Sequence, residues 1–174
     1  KIEALWEHSL RVAAFAKKIM YIETENLMRS DEAFTAGLLH DIGQIVLATN
    51  MHDEFGEALR SAQEEGELLI EVENSIFGAT HAEIGGYLLE LWGLPDPITE
   101  AITFHFLPSG CSEDEFCVAT ALHVANYFAE EQDDEGIALT STLDNVHLER
   151  IELGHRVEDW YDNCHEEEPL IQGG

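Results

Sequence analysis

The chain has 174 residues, a length that fits one ordinary domain with a substantial core, and its 45% hydrophobic and 9% aromatic content is that of a globular protein. No apolar stretch approaches the ~18 residues a membrane helix needs, and no signal peptide is visible. With 36 Asp and Glu against 8 Lys and Arg, the formal net charge is −28; such a surface repels phosphate backbones and anionic lipid, which argues against nucleic-acid and membrane partners.

The bland reading of this acidity is a highly solvated surface, and the sharper one is a docking face for a basic partner. Cys111, Cys117 and Cys164 are odd in number and form no Cys-x-x-Cys pair, so they support neither a zinc ribbon nor a disulfide framework. Cys117 lies in an apolar helical pattern and reads as a small core residue. A reducing cytoplasm is the natural inference. The chain starts at Lys1, already in helical pattern, and we expect it to be a piece of a longer protein.

Leu5, Leu10, Val12, Phe15, Ala16 and Ile19 recur at three-to-four spacing and predict an amphipathic helix over roughly residues 2–20. A second helix starts at Ser30 or Asp31 and carries Phe34, Leu38, Leu39, Ile42, Ile45, Val46 and Leu47. Apolar around most of its circumference, it is expected to be the central buried helix. A charged amphipathic helix over Asp53–Glu65 ends at Gly66, and Leu68–Ile76 ends at Gly78. Thr80-His81-Ala82-Glu83 is a capping box that places His81 in a first helical turn. Gly93 closes that helix, and Pro95 and Pro97 begin the next. Ser112-Glu113-Asp114-Glu115 reads as a second capping box, opening a helix through Ala119, Leu122, Ala125 and Phe128. The acidic run Glu130–Gly136 reads as a loop, Leu143–Ile151 and Val157–Asn163 as a weaker helical tail, and Glu166–Gly174 as a frayed end. No alternating strand, repeat or linker is evident, so the fold class is all-α, a helical bundle forming a single domain over 1–174, with its core at about 5–130 and a helical tail over 140–165.

Within the apolar run Gly37-Leu38-Leu39-His40-Asp41-Ile42-Gly43, the His-Asp doublet needs a physical reason. A buried ionised Asp neutralises, pairs or binds a metal. An adjacent imidazole and carboxylate supply a nitrogen and an oxygen ligand suited to first-row divalent metals. Other candidates flank it at Leu5-Trp6-Glu7-His8-Ser9-Leu10, Thr80-His81-Ala82-Glu83-Ile84-Gly85-Gly86-Tyr87, Phe104-His105-Phe106-Leu107-Pro108 and Leu122-His123-Val124-Ala125-Asn126.

In this order, and with the tract Gly85-Gly86-Tyr87-Leu88-Leu89-Glu90-Leu91-Trp92-Gly93-Leu94-Pro95, the set resembles the HD superfamily of metal-dependent phosphohydrolases. It is most similar to the HDOD branch, bacterial signal-transduction output domains, over roughly residues 5–130. The resemblance implies an HD-like bundle and a metal set of His8, His40, Asp41, His81 and His105. Asn126 stands as a weak member where catalytic relatives carry an Asp. Read alone, His8 is a satisfied core residue and His81 a surface or capping one. His52, His147, His155 and His165 lack such context and read as surface.

The departures bear on activity. Asn126 removes a negative charge from a dication site. Phe106 replaces the second His of a His-His pair, and Gln44 stands where relatives often carry a Lys, a cation able to contact substrate phosphate. No Gly-Tyr-Pro signature follows His105. Together they imply an eroded site with no confident catalytic residue, Asp41 being the candidate if the site is active. Its occupant would be a divalent metal (Fe, Mn, Mg or Zn) or none. The expected function is an output or scaffold domain, with a receiver or sensor module or other signalling proteins as partners and a nucleotide as possible ligand. The alternatives are an active metal-dependent phosphohydrolase acting on a nucleotide or cyclic dinucleotide, and a plain helical interaction domain without a ligand.

Overall fold

A computed structural model describes residues 2–111, 115–130 and 142–166. Among these there is no strand; the elements are α1 (Ile2–Thr24), α2 (Leu27–Leu39), α3 (Ile42–Asn50), α4 (His52–Glu65), α5 (Leu69–Phe77), α6 (His81–Leu91), α7 (Asp96–Phe104), α8 (Val118–Glu130), α9 (Asn145–Arg150) and α10 (Val157–His165). The all-α expectation holds. Residues 112–114 of the expected second capping box, most of the acidic loop and nearly all of the expected frayed end lie outside the described residues.

The local signals act as the chain chemistry dictates. Gly66 and Gly78 adopt left-handed φ of 69° and 74° to end α4 and α5. Thr80 and Glu83 form the capping box, the Thr80 side chain accepting from the Glu83 N–H and the Glu83 carboxylate from the Thr80 N–H. Pro97 stands in the first turn of α7.

Two expectations are corrected. The long second helix is two helices, broken at His40 and Asp41. The His40 Nδ1–H donates to the Gly37 carbonyl at 2.7 Å, taking the group an unbroken helix would pair with the Asp41 N–H. The central buried helix is α8 instead. Eleven of its residues, from Val118 to Ala129 except Tyr127, are buried, whereas Ile45 of α3 is half exposed. The small side chains Ala119, Ala121, Ala125 and Ala129 let neighbours approach α8 closely, which a stripe-counting argument does not weigh.

Around α8, α1 packs along both α2 and α8, and α7 packs on α2 and α8. A second layer follows: α6 lies on α7 and α3, while α4 and α5 pair beyond α3 over a small cluster of Ala58, Ala62, Leu69 and Val72. From the tail, α10 lies across α1, where buried Trp160 donates its indole N–H to Glu23 at 2.8 Å. Leu10, placed on the inner stripe of α1 by its spacing, is exposed.

Two glycine approaches position the site. A Cβ on Gly37 would lie 2.5 Å from the Ala13 Cα, so α2 rests directly on α1. A Cβ on Gly43 would lie 1.9 Å from the His81 carbonyl oxygen. This seats the first turn of α6 on α3, two residues from Asp41.

Candidate metal centre

The helix ends deliver the histidines. His40 and His105 are the C-cap residues of α2 and α7. Each turns its Nδ1–H back to the carbonyl three residues earlier, Gly37 and Ile102, both at 2.7 Å. A carbonyl only accepts, so both rings carry their proton on Nδ1 and leave Nε2 with a lone pair. His81, at the start of α6, is fixed differently: its Nδ1 lies 2.8 and 2.7 Å from the two oxygens of Glu73. Its backbone N–H also donates to Glu73 at 2.9 Å. Outer partners of this kind orient metal-binding imidazoles.

All three Nε2 atoms are buried and lack a hydrogen-bond partner among the described residues. They converge on Asp41. Its Oδ2 lies 3.4 Å from His40 Nε2 and its Oδ1 3.4 Å from His81 Nε2. Two ligands on a tetrahedral ion with bonds near 2.1 Å stand about 3.4 Å apart. Two triads result, His8–His40–Asp41 and Asp41–His81–His105, each with its ligand atoms within 4.8 Å of one another. The five expected residues therefore come together as two adjoining groups sharing Asp41, one carboxylate oxygen facing each. Buried imidazole nitrogens gathered about one buried carboxylate are a donor set that fits a divalent ion.

Burial and charge set the protonation. Burial raises and the neighbouring imidazoles lower the Asp41 pKa, which ends far below the usual carboxylate range. Burial opposes charge on His81, but Asp41 and Glu73 outweigh it and lift the ring to about 9. His40 and His105 are pushed down, chiefly by burial and then by neighbouring imidazoles, against the pull of Asp41. Two neutral imidazoles beside an ionised carboxylate are ready to ligate.

The substituted positions have definite roles. The Asn126 amide donates to Glu130 at 2.9 Å, so its Oδ1 faces His8 and accepts from His8 Nε2 at 3.1 Å. Gln44 donates its amide N–H to Asp41 Oδ1 at 2.9 Å. Phe106 packs edge-on to the His81 ring at 5.2 Å and against the His105 ring at 3.9 Å between centroids. The first triad thus has an imidazole engaged by an amide, while in the second His105 Nε2 has no hydrogen-bond partner among the described residues and His81 Nε2 faces only Asp41.

Reading the sequence missed Glu73, which is wholly buried. Its signal was present: in α5 it falls on the stripe of Leu69, Val72 and Phe77, where a carboxylate needs a partner. His123, which the sequence left without a role, is buried. It donates Nδ1–H to the His105 carbonyl at 2.7 Å and accepts the Asp144 N–H at Nε2, 2.8 Å, so it pins the loop after α7. His147 is corrected from surface to fully buried, bonded to Thr120, because α9 turns it inward beside Leu148. His165 is half-buried against Tyr161, while His52 and His155 are exposed as expected.

A helical bundle with a His-Asp doublet at a helix break, ringed by buried imidazoles from neighbouring helices, defines an HD-type domain. The HDOD domain family matches residues 1–108, and the chain belongs to that family. The match ends before α8, so the Asn126 position lies beyond it. An uncharacterized protein of Treponema pallidum (strain Nichols) is 30% identical over 118 residues, 67% of this chain and 23% of that protein. Among solved structures, an HDOD domain protein of unknown function from Geobacter sulfurreducens superposes with a TM-score of 0.72 at 25% identity, over 93% of this chain and 53% of that one. The response regulator MmoQ of Methylococcus capsulatus str. Bath gives 0.62 at 28% identity, over 95% and 62%. A putative phosphohydrolase of Shewanella amazonensis SB2B shares the fold, with a TM-score of 0.63 at 19% identity, over 92% and 63%. The chain therefore spans about a quarter to under two thirds of the relatives it matches.

Proposed function

We propose that this chain is a regulatory output domain of a bacterial signalling protein, one whose HD pocket holds a divalent metal without catalysing hydrolysis. The observation that carries this reading is the buried pair of triads sharing Asp41, the better kept of which is Asp41–His81–His105. A bound divalent ion supplies charge neutralisation and an acidified water. The chain's own residues hold it: Asp41 presents one oxygen to each side, Gln44 orients that carboxylate, and Glu73 fixes the His81 ring. Access argues against turnover, because His40, Asp41, His81 and His105 are all buried and Phe106 packs over two of the rings.

Likeness to a response regulator supports the signalling context, with a receiver or sensor module or other signalling proteins as partners. Among the described residues no helix is long and apolar enough to cross a membrane, and Cys111, Cys117 and Cys164 form no disulfide; both agree with a cytoplasmic site of action. A second reading, a metal-dependent phosphohydrolase, is favoured by the shared carboxylate: Asp41 would help hold an ion in either triad, and such an ion would supply Lewis-acid charge stabilisation to a phosphoryl group.

Metal analysis of protein purified without chelator, together with a phosphodiesterase screen in Mn, Fe or Mg, separates the two. The regulatory reading expects bound metal, lost on Asp41→Ala, and no turnover. Turnover that disappears in Asp41→Ala would establish the hydrolase instead.

A further inference from the structure

Away from the metal centre, a directed chain of hydrogen bonds ends on a sulfur. Arg150 can only donate, so its contact at 3.2 Å makes His147 Nδ1 the acceptor. His147 then carries its proton on Nε2 and donates it to Thr120 Oγ1 at 2.8 Å. The Thr120 hydroxyl keeps its own proton, which it donates to Cys117 Sγ at 3.6 Å when that sulfur is a thiolate and can only accept. That sulfur also stands at the N-terminus of the 13-residue helix α8. There the Cys117 carbonyl accepts the Ala121 N–H, and the N–H groups of Ala119 and Thr120 face Sγ. Helix N-termini favour thiolate.

A second thiol completes the arrangement. Cys111 lies in hydrogen-bond contact with Cys117. Both border a cavity of about 220 Å³ whose wall also includes Arg29, Glu32 and Glu100. Cys117 is nearly enclosed, but Cys111 is only half-buried and so open to reagents. The Cys111 contact, with help from Thr120 and against burial, pulls the Cys117 thiol down to about 6. Cys164, by contrast, is pushed up to about 12 by burial.

We propose that Cys111 and Cys117 form a redox-active dithiol that exchanges with low-molecular-weight disulfides of the glutathione class. Cys111 hands its proton to the Cys117 thiolate and attacks one sulfur of the disulfide, forming a mixed disulfide and releasing one thiolate, which takes that proton from Cys117. Cys117 thiolate then attacks Cys111 Sγ, forming the Cys111–Cys117 bond and releasing the second thiolate. Counted from the dithiol, the two protein thiol protons go to the two released thiols, and the two electrons reduce the small disulfide. Transient disulfides of this kind suit a reducing compartment, where structural ones do not persist.

The full chain is equilibrated with mixtures of reduced and oxidised glutathione, quenched by alkylation and read by intact and peptide mass spectrometry. The expected result is joint loss of the Cys111 and Cys117 thiols as one internal disulfide, with Cys164 retained. In Cys117→Ser the reaction should stop at a glutathione adduct on Cys111, and in Cys111→Ser the Cys117 thiol should survive. Wild-type protein that keeps both thiols at every ratio overturns the proposal without recourse to any variant. So does a glutathione adduct on Cys111 that persists in the wild type as it does in Cys117→Ser.

Discussion

Asp41 lies between two imidazoles and accepts from Gln44, so one substitution tests both triads. Asp41→Asn should bring metal content to background by elemental analysis. Asn126→Asp is expected to act in the opposite direction. It places a second carboxylate beside Glu130, where an amide donor now sits, so the metal-free variant should lose about 1–3 kcal/mol in urea unfolding, while its metal occupancy rises above wild type. Equal occupancy in both forms would show that the first triad takes no ion. Protonation gives a third test. The folded His81 value of about 9 exceeds its ordinary 6.5. Its contribution is therefore present below pH 6.5 and lost as pH rises through about 9, on the order of 3 kcal/mol in all. His40 and His105 are shifted down, so they withdraw stability as pH falls below 6.5. In a Cys117→Ser background, which removes the opposing gain from the depressed Cys117 thiol, metal-free protein should be most stable near pH 6.5 and decline on both sides. Glu73→Gln should flatten the alkaline arm of the urea midpoint against pH.

Between elements, the contact of α3 with α6 holds the site together, and it depends on Gly43. Gly43→Ala forces the added methyl into the His81 carbonyl. Loss of about 1–3 kcal/mol is expected from overpacking, and metal affinity should fall with it because His81 moves away from Asp41. Gly56 is the control. It lies in α4 with open space around it, so Gly56→Ala should gain about 0.5–1 kcal/mol from helix propensity alone and leave metal binding unchanged. Thermal melts with and without metal distinguish the two. The legibility of these elements followed their chemistry. Caps and glycine stops marked α4, α5 and α6 because their signals are local. The break at His40 and Asp41 was hidden, since a ring turning back on the Gly37 carbonyl leaves no trace in hydrophobic periodicity. Glu73 was hidden likewise, its partner His81 being bonded across the turn between α5 and α6.

For the molecule as a whole, electrostatics are governed by the net charge of −28. Self-repulsion of this size destabilises the compact state and is screened as the Debye length shrinks from about 30 Å at 0.01 M salt to about 3 Å at 1 M. The Tm should therefore climb by several degrees over that range in KCl and in NaCl alike. A flat response would mean that the acidic groups are far enough apart to be solvated independently.

The amino-acid sequence by itself determined the helical class, most element ends, the family and the identity of the candidate ligands, because periodicity, caps and an ordered motif set are properties of neighbours along the chain. Tertiary structure alone decided that the ligands divide into two triads about Asp41, that α8 rather than the second helix is the centre, that Glu73 and His123 hold the site's histidines, and that Cys111 meets Cys117. Each of those facts is a distance between groups whose separation in space follows from which helix faces pack together, and such packing is settled by side-chain volume and close glycine contacts throughout the bundle.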